Sequence, residues 1–193
     1  MKNKYPFNLQ EKEKVIEDIK PSDSLKGYFF ITYWIMSFFI LLFLSFFFGG
    51  FLIFALAFLS SSAYSILIGA FGYIIFVIIL SVVIGIVLSN SAYSKTHYWI
   101  TNQRVVVKKG LIGYSLSSIP LERVSDVVIS RSFLERIFGF ASLHVQSLAG
   151  QFSYNSRRFG SEGALAAIPD PEKTQELIFK LIKQKRKKER LSF

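Results

Sequence analysis

A long block of apolar residues, from Gly27 to Ser94, interrupts an otherwise charged chain. The block contains no Lys, Arg, Asp, Glu or His, so a helix formed from it has no polar face to turn towards water. Hydrocarbon tolerates such a run, and about 20 apolar residues suffice for one crossing. The pattern therefore predicts a transmembrane hairpin over residues 27–94, with spans near 28–48 and 65–88.

The connection between the two spans contains two clusters of turn-forming residues, Gly49-Gly50 and Ser60-Ser61-Ser62. The residues between these clusters, 51–59, are themselves apolar. They either extend the first helix or lie in the outer interface, and the pattern leaves both open.

Basic residues flank the apolar block on both sides. Lys20 and Lys26 precede it, and Lys95, Arg104, Lys108 and Lys109 follow it. Because cytoplasmic flanks carry the excess of Lys and Arg, both ends are expected on the cytoplasmic side, which requires an even number of spans. The sequence thus predicts a multi-pass protein of the cell membrane with an N-terminal cytoplasmic segment, residues 1–26.

Small residues recur every four positions in the second span, at Ser81, Gly85 and Ser89. Such a stripe lets another helix approach closely. Packing within the hairpin is the favoured interpretation, and homo-oligomerisation through the same stripe is the alternative.

After the apolar block, residues 95–182 consist of short β-prone runs separated by turn residues. About seven strands are predicted: His97–Thr101, Arg104–Gly110, Tyr114–Ile119, Val124–Arg131, Leu143–Ser147, Gln151–Arg158 and Ala164–Ile168. Ser132–Phe138 interrupts them with a short helix that Gly139 ends.

A C-terminal helix is predicted after this region. Asp170 suits the N-cap and Pro171 the first helical position. Leu177, Ile178, Leu181 and Ile182 then form one apolar stripe. The expected fold is a membrane α-helical hairpin plus an α+β cytoplasmic domain, a pleckstrin-homology-like (PH-like) β-barrel closed by this helix.

The spacing of several residues carries a family resemblance. The matching positions are Tyr98, Thr101, Arg104, Gly110, Pro120, Arg123, Arg136 and Gly139, preceded by Glu13-Lys14-Val15-Ile16 and Pro21-Ser22. Their order resembles the bacterial and archaeal PH-like family known as YdbS-like, over most of residues 10–190. The resemblance implies a PH-like domain next to a pair of transmembrane helices, with a role in envelope maintenance or stress response. Gln151–Gly163 departs from the family pattern.

The charge of the chain is uneven. The 193 residues are 51% hydrophobic, yet the formal net charge is +10, and cysteine is absent, so no disulfide or thiolate zinc site can form. A basic tail, residues 183–193, carries Lys183, Lys185, Arg186, Lys187, Lys188 and Arg190. Two interpretations of this tail remain open: it docks onto anionic lipid, or it is a solvated terminus. Binding to nucleic acid is less favoured, because a bilayer surface is already adjacent.

A second candidate anion-binding face combines Arg157 and Arg158 with Lys108, Lys109 and Arg131. Solvated strand ends are the favoured explanation of these charges. The motif arginines Arg104, Arg123 and Arg136 are expected to support the fold by pairing with Glu122, Asp126 or Glu135.

Enzymatic chemistry finds little support. His97 and His144 are isolated, and the chain has no P-loop, nucleophile elbow or metal-spaced histidine pair. No catalytic residue, metal or cofactor is predicted. The expected function is that of a non-enzymatic membrane-anchored module that binds anionic lipid or a protein partner; the alternative is a structural subunit of a membrane complex assembled through the hairpin.

Overall fold

The computed structural model describes residues 5–59, 63–147 and 163–190. The chain forms two units. Residues 26–91 form the hairpin unit, and the residues up to Leu25 combine with those from Ala92 onward in the other, here called the sheet unit.

Two long apolar helices make up the hairpin unit: α1 (Ser24–Leu59) and α2 (Ala63–Lys95). Their apolar segments run for 27 and 32 residues, and at about 1.5 Å per residue both exceed the ~30 Å of a bilayer's hydrocarbon. Large apolar side chains are exposed along them, with Phe46 81% and Phe71 67% exposed. Water-soluble proteins rarely show such surfaces, so the two helices suggest membrane association.

The predicted turn at Gly49-Gly50 is wrong, because both glycines lie inside α1. An uninterrupted helix keeps its backbone hydrogen bonds internal, which an apolar surrounding demands. Gly49 is buried against Tyr73, whose ring would lie 2.9 Å from a Cβ added there. Because α1 continues to Leu59, the structure adopts the helical alternative for residues 51–59; Ser60-Ser61-Ser62 lie outside the described residues.

The sheet unit contains two antiparallel sheets. The four-stranded sheet has the order β1 (Val15–Ile19), β2 (His97–Thr101), β3 (Arg104–Lys109) and β4 (Ser115–Pro120). The three-stranded sheet has the order β5 (Val124–Ser130), β6 (Ala141–Ser147) and β7 (Ala164–Ile168). In the first sheet Ile19 pairs with Tyr98 and Trp99 with Val106.

Strand β1 is not among the predicted strands, although its first two residues, Val15 and Ile16, belong to the matched motif. Its inward positions are Val15, Glu17 and Ile19, while Ile16 is exposed. A glutamate at an inward position and an isoleucine at an outward one hide the period of two that identifies a strand. As a result, a segment from before the hairpin completes a sheet formed by residues after it.

The predicted barrel closure is wrong: among the described residues the two sheets are not joined into a barrel. A 3₁₀ turn (Leu121–Arg123) separates β4 from β5, and Pro120, which has no N–H, ends β4. The chain therefore leaves the first sheet and enters the second without pairing across the turn. The strand predicted at Gln151–Arg158 lies outside the described residues, so the predicted count of seven is not confirmed.

One apolar core lies between the two sheets and is covered by helix α4 (Pro171–Arg190). Tyr98, Leu143 and Ile178 are fully buried in it. The stripe predicted on the helix supplies Leu181 and Ile182 to this core as well. The short helix α3 (Phe133–Ile137) follows β5 and is capped by Ser132, and Gly139 adopts a φ of 71° just after it. An α+β domain of this kind agrees with the predicted class.

Candidate functional site

Arg104, on β3, holds the N-terminal segment. Its Nε and Nη2 atoms donate to the two carboxylate oxygens of Glu13 at 2.8 and 2.9 Å, and Nη2 also donates to the carbonyl of Asn8 at 2.7 Å. The Glu13 side chain is fully buried. The partner of Arg104 is therefore Glu13, and not Glu122, Asp126 or Glu135 as the sequence predicted.

The protonation of Glu13 reflects this contact. Burial alone would raise the pKa of this carboxyl group. Hydrogen bonds from Arg104, the Gln10 backbone and Thr101, together with the charge of Arg104, outweigh burial and hold the pKa below its usual value of 4.5. Glu13 is thus a fixed anion whose role is to neutralise Arg104.

Three further motif residues also stabilise the sheet unit. Tyr98 Oη accepts a hydrogen bond from the Ala166 N–H at 2.9 Å and donates to the Ala166 carbonyl at 3.2 Å, which joins β2 of one sheet to β7 of the other. Thr101 Oγ1 donates to the Arg104 carbonyl at 2.9 Å and closes the β2–β3 turn. Gly110 closes the next turn, since a Cβ there would lie 2.0 Å from the Gly113 carbonyl oxygen.

The remaining motif arginines behave differently. Arg123 and Arg136 are exposed and form no ion pair with any residue in the described ranges. The acidic residues expected as partners have other contacts. Glu122 pairs with Lys185 at 2.6 Å, and the buried Glu135 completes the Ser132 capping box and accepts a hydrogen bond from Ser142.

The basic tail belongs to α4, which continues to Arg190. Lys185 is half-buried and follows the core stripe at helical spacing, while Lys183, Arg186 and Lys187 are exposed. One face of the helix carries positions 183, 186, 187 and 190, because they are spaced i, i+3, i+4 and i+7. This set is called the cationic face below; the side chains of Lys188 and Arg190 lie outside the described part of the chain.

The second candidate basic face is only partly described. Lys108 Nζ lies 4.8 Å from the centre of the Tyr114 ring, and burial lowers the pKa of Lys109 to about 8. Neighbouring strand residues point to opposite sides of a sheet, so these two lysines do not share a face. Arg131 is exposed, and Arg157 and Arg158 lie outside the described residues.

The small-residue stripe of α2 faces α1. Ser81, Gly85 and Ser89 are all buried. The Trp34 indole donates to Ser81 Oγ at 3.2 Å, and a Cβ at Gly85 would lie 3.0 Å from the Cβ of Trp34. The stripe thus contacts a helix of its own chain, the first of the two interpretations of its spacing.

The two histidines have ordinary surroundings. His97 contacts Asp18 and stacks on Trp99 at 4.4 Å. Burial and the charge of Lys109 lower the pKa of His144, against the opposite effect of Glu135. No group of three or more potential metal ligands occurs among the residues that the structure describes.

Comparison with known proteins identifies a family. A family model described as "Bacterial PH domain" matches residues 30–182, which include most of α1, all of α2 and both sheets from β2 onward. Neither a curated protein nor a solved structure gave a significant match. The match confirms the resemblance carried by the motif residues, and PH-like domains are generally non-catalytic modules. The chain therefore belongs to the bacterial PH domain family.

Proposed function

We propose that this protein is a non-enzymatic membrane-anchored module whose two-span hairpin holds the PH-like domain at the cytoplasmic surface, where the cationic face of α4 binds anionic lipid head groups. Envelope maintenance or stress response is the setting that the resemblance implies. The observation that carries the proposal is the pairing of β1 with β2, because β1 precedes the hairpin in the sequence and β2 follows it.

The pairing bears on topology. Two segments that share one sheet lie on the same side of any membrane, so the chain between them crosses an even number of times. Tyr93, near the end of α2, adds a second link, because its hydroxyl donates to Asp23 Oδ1 at 2.7 Å and lies 3.2 Å from the Pro21 carbonyl oxygen. The basic flanks of the apolar block support the cytoplasm as that side.

The lipid partner follows from charge. The chain has a net charge of +10, and the exposed Lys183, Arg186 and Lys187 lie together on the cationic face at the end of α4. Each basic residue close to an anionic leaflet contributes on the order of 1 kcal/mol, within a Debye length. A linear array along one helix face brings these residues to a flat surface together.

Neutralising the cationic face is expected to abolish the anion-dependent approach of α4 to the bilayer. The full chain would carry a donor fluorophore on Cys at Ser192, which is unique because the chain has no Cys. Energy transfer to acceptor-labelled lipid is measured in nanodiscs with and without phosphatidylglycerol. Transfer should rise with the anionic lipid and fall with added salt, and replacing Lys183, Arg186, Lys187 and Arg190 with Gln should remove the rise.

A matched control removes the same number of charges elsewhere. Lys12, Lys14, Arg123 and Arg136 are exposed, and the variant with all four as Gln should retain the full rise. An equal loss in both variants would show that only net charge matters and would refute a role for the cationic face. No response to phosphatidylglycerol in the parent chain would favour the alternative, a structural subunit assembled through the hairpin.

A further inference from the structure

The turn between β3 and β4 carries the most exposed apolar side chain outside the hairpin unit among the described residues. Ile112 is 89% exposed and Tyr114 is 61% exposed. The turn itself is tightly built, because Gly110 meets the Gly113 carbonyl too closely to admit a Cβ. An apolar residue presented on a fixed turn loses little conformational freedom when it is buried, which suits a contact surface.

Lys95 links this turn to the end of α2 by hydrogen bonds. Its Nζ donates to the carbonyls of Leu111 and Ile112, and Lys95 is the last residue of that helix. Lys108 lies over the Tyr114 ring, so a second cation accompanies the apolar tip. The turn therefore contacts the last residue of α2 within the sheet unit.

We propose that the Gly110–Tyr114 turn is a membrane-interface anchor, with Ile112 inserting at the head-group boundary beside the end of α2. The inference rests on the proposed function in one respect, that α2 crosses the bilayer. It does not depend on the cationic face of α4, which lies on a different element.

The chemistry of the turn fits a lipid surface. Tyrosine prefers the interface, where its ring is buried and its hydroxyl stays hydrated. A lysine can lay its apolar stem along hydrocarbon while its charged end stays among polar groups, and the Lys95 ammonium does so at the Leu111 and Ile112 carbonyls. The turn and the end of α2 therefore combine an exposed isoleucine, a tyrosine and two lysines. This combination fits both the hydrocarbon side and the head-group side of the interface.

The test places a reporter on the turn without removing its apolar residue. Gly113 has nothing within 4 Å of an added Cβ, so Gly113→Cys should be tolerated and can carry an environment-sensitive fluorophore. The full chain is reconstituted in nanodiscs that contain phosphatidylglycerol. Iodide in the water and nitroxide-labelled lipid in the bilayer serve as the two quenchers.

The expected result is weak quenching by iodide and strong quenching by the nitroxide lipid at position 113. The same fluorophore at Ser125→Cys, an exposed residue of the other sheet, should be quenched several-fold more by iodide. Adding Ile112→Asp to the Gly113→Cys chain should restore quenching by iodide, because a carboxylate resists burial in hydrocarbon.

Two outcomes would overturn the inference: equal iodide access at positions 113 and 125, or shielding from iodide without nitroxide quenching, which indicates a protein cover. A reporter at Phe71→Cys, an exposed position within the apolar segment of α2, separates this failure from failure of the proposed function. If position 71 is quenched by nitroxide lipid and position 113 is not, only the anchor is refuted. If position 71 is not quenched either, the membrane-spanning hairpin itself is refuted.

Discussion

Replacing Arg104 with methionine is expected to destabilise the sheet unit by about 3–5 kcal/mol, the usual cost of leaving one member of a buried ion pair without its partner. The Glu13 side chain is fully buried and that of Arg104 is only 16% exposed. The methionine keeps much of the apolar stem but removes both guanidinium donors to Glu13, leaving the carboxylate only the hydrogen bonds from the Gln10 backbone and Thr101. Hydrogen exchange of the β2 amides in the full chain should accelerate roughly a hundredfold to several-thousandfold.

The chain offers a matched control for this change. Arg123 belongs to the same motif but is exposed and has no ion pair among the described residues, so Arg123→Met should leave exchange nearly unchanged. Adding Glu13→Gln to Arg104→Met should recover part of the loss, because no uncompensated charge then stays buried. Equal effects of Arg104→Met and Arg123→Met would contradict the assigned role.

The Glu13 contact also predicts a pH dependence. The folded pKa lies below the usual 4.5, so Glu13 binds fewer protons in the folded state than in the unfolded state. Its contribution is complete above the unfolded pKa and is lost as the pH falls through the folded pKa. The stability difference between the parent chain and Glu13→Gln should therefore shrink below about pH 4.5.

Tyr98→Phe is expected to destabilise the sheet unit by about 1–3 kcal/mol, although it deletes one oxygen atom only. Tyr98 is fully buried, and its hydroxyl accepts from the N–H and donates to the carbonyl of Ala166 on the other sheet. Phenylalanine would leave both backbone groups buried without their partner. The midpoint of urea unfolding, followed by pulse proteolysis of the full chain, measures the loss.

An exposed tyrosine provides the control for Tyr98. Tyr114 is 61% exposed, and phenylalanine retains the ring that Lys108 covers, so Tyr114→Phe should leave the midpoint unchanged. An unaltered midpoint in Tyr98→Phe would mean that the two sheets are not held together through this hydroxyl.

Local patterns predicted most of the elements in this fold. The charge-free block indicated both apolar helices, and short β-prone runs bounded by turn residues placed β2 and β7 at their observed bounds. What local patterns miss is pairing over long distances in sequence. Strand β1 has a glutamate at an inward position, and its partner β2 lies beyond the whole hairpin. Whether the two sheets close into a barrel likewise depends on which strands pair, and local patterns do not contain that information.

The same limit applied to the candidate site. Glu13 and Arg104 both belong to the matched motif, yet their contact joins residues on either side of the apolar block, so proximity in sequence favours the wrong acidic partners. The cationic residues of the tail could be read from sequence, whereas their arrangement on one face required the helix to continue to Arg190. The turn at Ile112 gave no signal in a periodicity analysis, because its exposure depends on the tight closure at Gly110.

Side-selective labelling of single cysteines tests the central claim most directly. The chain has no Cys, so Glu11→Cys, Ser61→Cys and Ser125→Cys can each be probed alone in intact cells with a reagent that does not cross the membrane. We expect Ser61→Cys to react from outside, and Glu11→Cys and Ser125→Cys to react only after the cells are opened. Labelling of Glu11→Cys and Ser125→Cys from opposite sides would contradict it, because β1 and β2 could not then share one sheet.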